Sequence, residues 1–217
     1  DFFSTTHIEK QTQYVEALLT EMQDRLPISN THFPISTIYI GGGTPSTLQV
    51  EHLQTILETI KQKATGEKQE ITLEANPGDI TPEKARAWRE LGINRLSIGM
   101  QSFDDELLQL IGRRHNAEQA RQAVAIAQEA GFDNISIDLM YALPTQSMEQ
   151  WQKDVQTALQ LGIQHISTYG LIYEEGTALT KLLMDNQLQP VDEELEMRMY
   201  DYLVEQLAAN GFVHYEV

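Results

Sequence analysis

Short apolar, β-branched runs alternate along the chain with longer stretches whose apolar positions recur every three or four residues. In "QTQYVEALLTEMQDRL", Tyr14, Leu18, Met22 and Leu26 fall four apart, the spacing that lines one face of a helix. "STLQVEHLQTILETIKQK" repeats it through Leu53, Ile56, Leu57 and Ile60. Between them, "ISTIYIGGG" is an apolar run ending in three glycines and predicts a buried strand. Strand "EITLEAN" follows, then helix "TPEKARAWREL" with Thr81 as N-cap and Pro82 in its first turn, then strand "NRLSIGMQSF". A helical zone from Asp104 to Ala130 is interrupted near "GRRHN". Ser147 and Gln150 in "QSMEQ" make the capping-box pattern that opens a further helix.

A weak internal repeat organises the middle of the chain. "LGINRLSIGMQ", "AGFDNISIDLM" and "LGIQHISTYGL" align from Gly92, Gly131 and Gly162, each placing a serine five residues on, at Ser97, Ser136 and Ser167. "NGFVHYEV" from Gly211 begins the same way. The unit is a helix closed by glycine, a short turn, and a strand expected to be buried on both faces. Strands are expected at 37–41, 70–75, 94–100, 134–140 and 164–170, with a sixth at 212–217. Helix-then-strand repetition is the signature of parallel βα units. It predicts a TIM-like barrel or part of one; a doubly wound sheet is the alternative, since sequence does not show where strand order reverses. In both, sites gather at the carboxyl ends of the strands.

Those ends are polar. The first strand runs into Gly41, Gly42, Gly43 and Thr44, and the second into Glu74, Asn76 and Pro77. The third ends in Gln101 and Ser102, the fourth in Asp138 and Tyr141. A barrel site that draws one or two residues from each strand has this composition. Each residue also has an ordinary structural alternative. Glu74 can salt-bridge at the sheet rim, Gln101 can bond loop backbone, and Asp138 can cap a turn. Arg113 and Arg114 can be a solvated face, and "GGGTPS" can be a turn. The glycines match neither a P-loop, which needs Lys after the last Gly, nor a dinucleotide fingerprint, which wants Gly or Ala where Ser46 stands. The six histidines, His7, His32, His52, His115, His165 and His214, show no metal-ligand spacing, and no nucleophile-elbow motif is present. His115, beside Arg113 and Arg114, is the histidine of interest.

Composition narrows the partners. With 41% hydrophobic and 22% charged residues, the 217-residue chain is ordinary for a globular domain, but its net charge of −17 is not. So acidic a chain is a poor binder of nucleic-acid backbone, and an acidic ligand needs locally placed arginine. Cysteine is absent, which removes disulfides and thiolate ligands from this chain. No apolar run approaches the roughly 20 residues of a membrane helix, and no signal-like start is seen, so a cytoplasmic location is expected. The chain begins without Met and closes on a strand-like segment. Both ends are therefore expected to be cut, with residues 1–217 forming a single core domain.

"IYIGGGTPS", "EITLEANPGD", "GINRLSIGMQSFDDELLQLIGRRH" and "ISIDLMYALPTQS" together resemble the oxygen-independent coproporphyrinogen III oxidase-like family of radical S-adenosylmethionine (radical SAM) proteins. The likeness covers essentially the whole chain and is strongest to the HemW-type haem-chaperone branch. "GMQSF" and "IGRRH" resemble that branch, whereas the coproporphyrinogen dehydrogenases usually have Asp where Ser102 sits and lack a histidine at position 115. The resemblance implies a partial (βα)6-type TIM barrel with a [4Fe–4S] cluster on a cysteine loop after its first strand. It also implies a bound SAM that is cleaved to methionine and a 5′-deoxyadenosyl radical. Gly42, Gly43 and Thr44 match the motif lying along the SAM methionyl group. Glu74 matches a SAM-contacting carboxylate, and Gln101, Arg113 and Asp138 match positions lining the SAM pocket. The first strand and the cluster cysteines are expected just upstream of Asp1, so this segment by itself should hold no cluster and be inactive. A C-terminal domain of the family, which carries the chaperone branch's haem-binding motif, is expected to be missing. Two activities are implied: haem binding with delivery to haem-requiring enzymes, or radical decarboxylation of coproporphyrinogen in haem synthesis.

Overall fold

The structure, a computed structural model, describes residues 9–26, 35–63 and 69–215. The Asp1–Phe2 pair, His7, His32 and the last two residues of the expected sixth strand lie outside the described residues. Among the described residues, five strands form one sheet: β1 Thr37–Ile40, β2 Glu70–Ala75, β3 Arg95–Gln101, β4 Ile135–Tyr141 and β5 His165–Gly170. The intervening helices are α1 Glu9–Arg25, α2 Val50–Lys63, α3 Pro82–Glu90, α4 Asp105–Leu110, α5 Ala117–Glu129 and α6 Met148–Gln160. Helices α7 Ala178–Met184 and α8 Glu193–Ala209 follow β5.

All neighbouring strands are parallel and their spatial order is β1-β2-β3-β4-β5. A doubly wound sheet needs a reversal of strand order, and none occurs among the described strands. The sheet is that of a partial TIM-type barrel. Local chemistry sets the boundaries as expected. Thr81 accepts from the Lys84 N–H at 3.2 Å ahead of Pro82, and Ser147 with Gln150 closes a complete capping box. A second box, Asn116 with Gln119, restarts the helical zone after the break.

Outside the irregularity between Gly99 and Gln101, register assigns each strand residue to one of two faces, because paired residues in a ladder point the same way. Ile38, Ile71, Leu73, Ala75, Leu96, Ile98, Met100, Ile135, Ile137 and Leu139 share the outer face and are buried in the core. They pack against Leu53 and Leu57 of α2, Trp88 of α3, Trp151 and Val155 of α6, and Met199 and Leu203 of α8. Helix α5 contributes Ala120, Ala123 and Ala127, small residues at helical spacing that let it lie close to the sheet. Burying each large aliphatic side chain stabilises the fold by about 1.5–3 kcal/mol.

The opposite face is the barrel lumen, and it is polar: Thr72, Glu74, Arg95, Ser97, Ser136, Asp138, His165 and Ser167. The central strands are buried on both faces as expected, with Thr72, Ser97 and Ser136 buried on the lumen side, but that second buried face is polar. The alternation in "RLSIG" and "ISIDL" marks one apolar and one polar face. The repeat also slips in space. Ser97 pairs with Ser136, but Ser136 pairs with His165, and Ser167 pairs with Asp138. Closing a barrel staggers its strands, so sequence repeats drift out of lateral alignment.

The expected sixth strand is not formed at residues 212–215, which are irregular. Their contact with β5 runs through side chains instead. The Tyr215 hydroxyl bonds His165 Nε2 at 2.5 Å, with no backbone ladder.

Candidate functional site

The site begins where β1 meets its glycines. A Cβ on Gly41 would lie 2.6–2.8 Å from three atoms of the Glu74 carboxyl group, so only glycine lets β1 and Glu74 approach this closely. Gly42 has φ 92° and its N–H donates to Glu74 Oε2 at 3.0 Å. Around Gly42 and Gly43 an added Cβ would meet nothing within 4 Å. Thr44 is left-handed at φ 61°, a conformation that costs free energy for a β-branched residue and clusters at functional sites.

Beneath this loop, Ser46 is fully buried. Its hydroxyl donates to Asp79 Oδ2 at 2.7 Å and accepts from the Asn76 N–H at 3.3 Å, while Lys84 Nζ donates to its carbonyl at 2.9 Å. The loop is thereby tied to the end of β2 and to α3.

A second wall comes from β3. Its ladder with β4 shifts between Gly99 and Gln101, a β-bulge that turns Gln101 into the left-handed region at φ 70°. Backbone groups at a bulge need partners from outside the ladder, and "IGRRH" supplies them. Arg113 Nη2 donates to the Gly99 carbonyl at 2.7 Å, and His115 Nε2 lies 3.0 Å from the Met100 carbonyl. Neither group is a passenger on a solvated face. Arg114, by contrast, is exposed. A Cβ on Gly99 would stand 3.0 Å from both Arg113 Nη2 and Gln101 Nε2. The guanidinium and the amide therefore cross over that glycine, on the face where its ladder partner Asp138 points.

Electrostatics follow from this crowding. Burial, then the nearby Glu74 charge, pushes the Asp138 carboxyl up to about 6, against the pull of Arg113 and Arg95. Burial lowers the Arg113 guanidinium from its usual range, opposed by Asp138. The Tyr39 hydroxyl is raised by burial and by its bond to Glu74. An acid whose folded value exceeds its unfolded one holds extra protons when native, so stability is greatest below about pH 4 and is lost as pH rises through 6. Asp138→Asn is accordingly expected to be more stable than the parent at pH 7.5, by about 1–3 kcal/mol, with the gain vanishing near pH 4. Urea denaturation at the two pH values measures it; an unchanged or lower midpoint at pH 7.5 contradicts the strained carboxylate.

The residues expected at strand ends thus divide. Gly42, Glu74, Gln101, Arg113 and Asp138 share the lumen face, with Gly43 and Thr44 continuing the loop beside them. Ser102 turns away, donating to Asp154 Oδ2 at 2.6 Å. Tyr141 packs on Trp151 and Tyr200. Sequence reading passed over Tyr39 and Gly99 and left Asn76 without a partner. The period-two alternation along β1, β2 and β3 was the signal that placed them on the lumen face. Among the described residues, no three His, Asp or Glu side chains form a metal-binding group, and no helix is long and apolar enough to cross a membrane.

A parallel sheet in this strand order, with glycine-rich backbone and polar side chains at its strand ends, defines an α/β protein of the partial TIM-barrel type. The Radical SAM superfamily profile matches residues 8–158, and the chain belongs to that superfamily. Within it, the chain is homologous to HemW-type haem chaperones. It is 40% identical over 205 residues to "Heme chaperone HemW" of Lactococcus lactis subsp. lactis (strain IL1403), covering 94% of this chain and 53% of that protein. The Bacillus subtilis (strain 168) protein of the same name is 38% identical over 208 residues, covering 94% and 54%. The chain spans about half the length of these relatives. Its fold superposes on Escherichia coli coproporphyrinogen III oxidase (HemN) with a TM-score of 0.83 at 24% identity, over 95% of this chain and 48% of that one.

Proposed function

We propose that this chain is the SAM-binding core of a haem chaperone, which binds haem and delivers it to haem-dependent enzymes. The observation that carries the reading is the convergence of the glycine loop, Glu74, Gln101, Arg113 and Asp138 on one lumen face, with open space over Gly42 and Gly43. These groups suit a zwitterionic sulfonium ligand. Backbone from Gly42 to Thr44 would run along the methionyl portion, Glu74 would accept from ribose hydroxyls, and Arg113 would meet a carboxylate. Gln101 and Asp138 would line the remainder. SAM, when bound to a reduced iron–sulfur cluster, supplies a radical precursor. The 217 residues include no cysteine to ligate such a cluster, so no step is routed through one here.

Haem is the cargo in this reading, and haem-requiring enzymes are the recipients. The relatives' name and the 38–40% identity support it. The test uses full-length protein with its cluster reconstituted anaerobically and supplied with SAM. Stable haem binding without turnover is expected; conversion of coproporphyrinogen III to a decarboxylated product would assign the protein to the dehydrogenase class instead. Glu74→Ala is expected to weaken SAM binding at least tenfold, the loss of a charged hydrogen-bond acceptor. Calorimetry showing parental affinity would remove Glu74 from the site.

A further inference from the structure

Two of the groups assigned to SAM, Thr44 and Arg113, stand on different walls of the lumen, and one side chain joins them. Asn76 follows the last residue of β2, and its backbone N–H is held by the buried Ser46 hydroxyl at 3.3 Å. Its Oδ1 accepts from Arg113 Nη2 at 3.0 Å, and its Nδ2 donates to Thr44 Oγ1 at 3.4 Å. Arginine only donates, so the atom facing it must be the amide oxygen; the orientation of Asn76 is thereby set, and its nitrogen faces Thr44.

The consequence for Arg113 is specific. Its bonds to Asn76 and to the Gly99 carbonyl both use Nη2, pinning one corner of a planar fork and leaving Nη1 and Nε as donors for a ligand. An arginine has several rotatable bonds and much side-chain entropy to lose on binding. Holding it in place before the ligand arrives removes that cost from the binding step. On the other wall, Thr44 occupies a left-handed conformation at φ 61°, and the Asn76 amide is a partner for its hydroxyl in that conformation.

We propose that Asn76 is a positioning residue, not a ligand contact: it bridges Thr44 and Arg113 so that the glycine loop and the β3 wall present one pre-set surface to SAM. The inference rests on the SAM reading above. It goes further by coupling two walls that the reading treats separately.

The experiment measures SAM affinity by calorimetry in full-length, cluster-reconstituted protein. Asn76→Ala is expected to weaken binding about tenfold, the usual order for losing an orienting partner. Asn76→Asp retains an acceptor for Arg113 and accepts from the Thr44 hydroxyl, so it is expected to restore affinity to within about threefold of the parent. In an Arg113→Ala background, Asn76→Ala is expected to add less than its effect alone, because the group it positions is gone. Full additivity, or Asp rescuing no better than Ala, overturns the proposal. Should Asn76→Ala fail to fold, Asn76→Ser, too short to reach Arg113, takes its place in the cycle. Parental affinity in Arg113→Ala would instead overturn the SAM assignment itself. Weakened binding in Arg113→Ala with parental binding in Asn76→Ala overturns the positioning role alone.

Discussion

Ser102→Asp is expected to destabilise the domain by more than about 3 kcal/mol at pH 7.5. Ser102 is fully buried, Asp154 on α6 is 1% exposed, and the serine hydroxyl donates to Asp154 Oδ2 at 2.6 Å. The Phe103 N–H donates to the other oxygen at 2.8 Å, and the Asp104 N–H donates to Ser102 Oγ at 3.0 Å. Asp104 in turn caps α4 and accepts from Gln150 of α6. This corner fixes the chain immediately after Gln101. Burial holds the Asp154 carboxyl up at about 6 despite the hydrogen bonds from Ser102 and Phe103. A second carboxylate there would replace a donor with a like charge in a buried site. Two carboxyls in contact can share a proton, so the loss should shrink as pH falls toward 5. Ser102→Ala, which only removes the donor, is expected to cost about 1–3 kcal/mol. Chemical denaturation of both variants across pH distinguishes them; equal midpoints at pH 7.5 would show that Asp154 carries no buried charge. A chain with Asp at this position therefore needs something other than a bare carboxylate opposite it.

Gly41→Ala is expected to fold yet lose SAM binding by about tenfold or more. The new methyl would stand 2.6 Å from Glu74 Oε1. That atom is the end of a flexible side chain, so the carboxylate swings aside and the stability cost stays near 1 kcal/mol. What is lost is the bond from the Gly42 N–H to Glu74 Oε2, and with it the placement of both the loop and the carboxylate. Gly43→Ala is the control in the other direction. Its Cβ meets no protein atom within 4 Å, so melting should be unchanged and any loss of affinity reports the ligand's own approach. A Gly41→Ala protein with parental affinity would mean that Glu74 tolerates displacement, and the tight packing at Gly41 would then serve the fold alone.

The reading of individual strands was limited by the same alternation that defines the site. In β3, Leu96, Ile98 and Met100 sit in the core while Arg95, Ser97 and Gly99 face the lumen. Burial on both faces does not make such a run apolar on both, since Ser97 is buried and polar. The serine repeat is a feature of the sequence alone: in the sheet Ser136 pairs with His165, and Ser167 with Asp138.

Sequence by itself determined what depends on neighbours a few residues away: helix periods, the caps at Thr81 and Ser147, the glycine loop, and polar residues at successive strand ends. It also carried the family, through motifs in consistent order. Only the tertiary structure decided how those residues meet. The bulge that turns Gln101, the Arg113 bonds to Gly99 and Asn76, and the Asp154 anchor under Ser102 link positions 14, 37 and 52 residues apart. Contacts of that kind follow from strand order and register. These are properties of the five-stranded sheet as a whole, so no local pattern of residues encodes them.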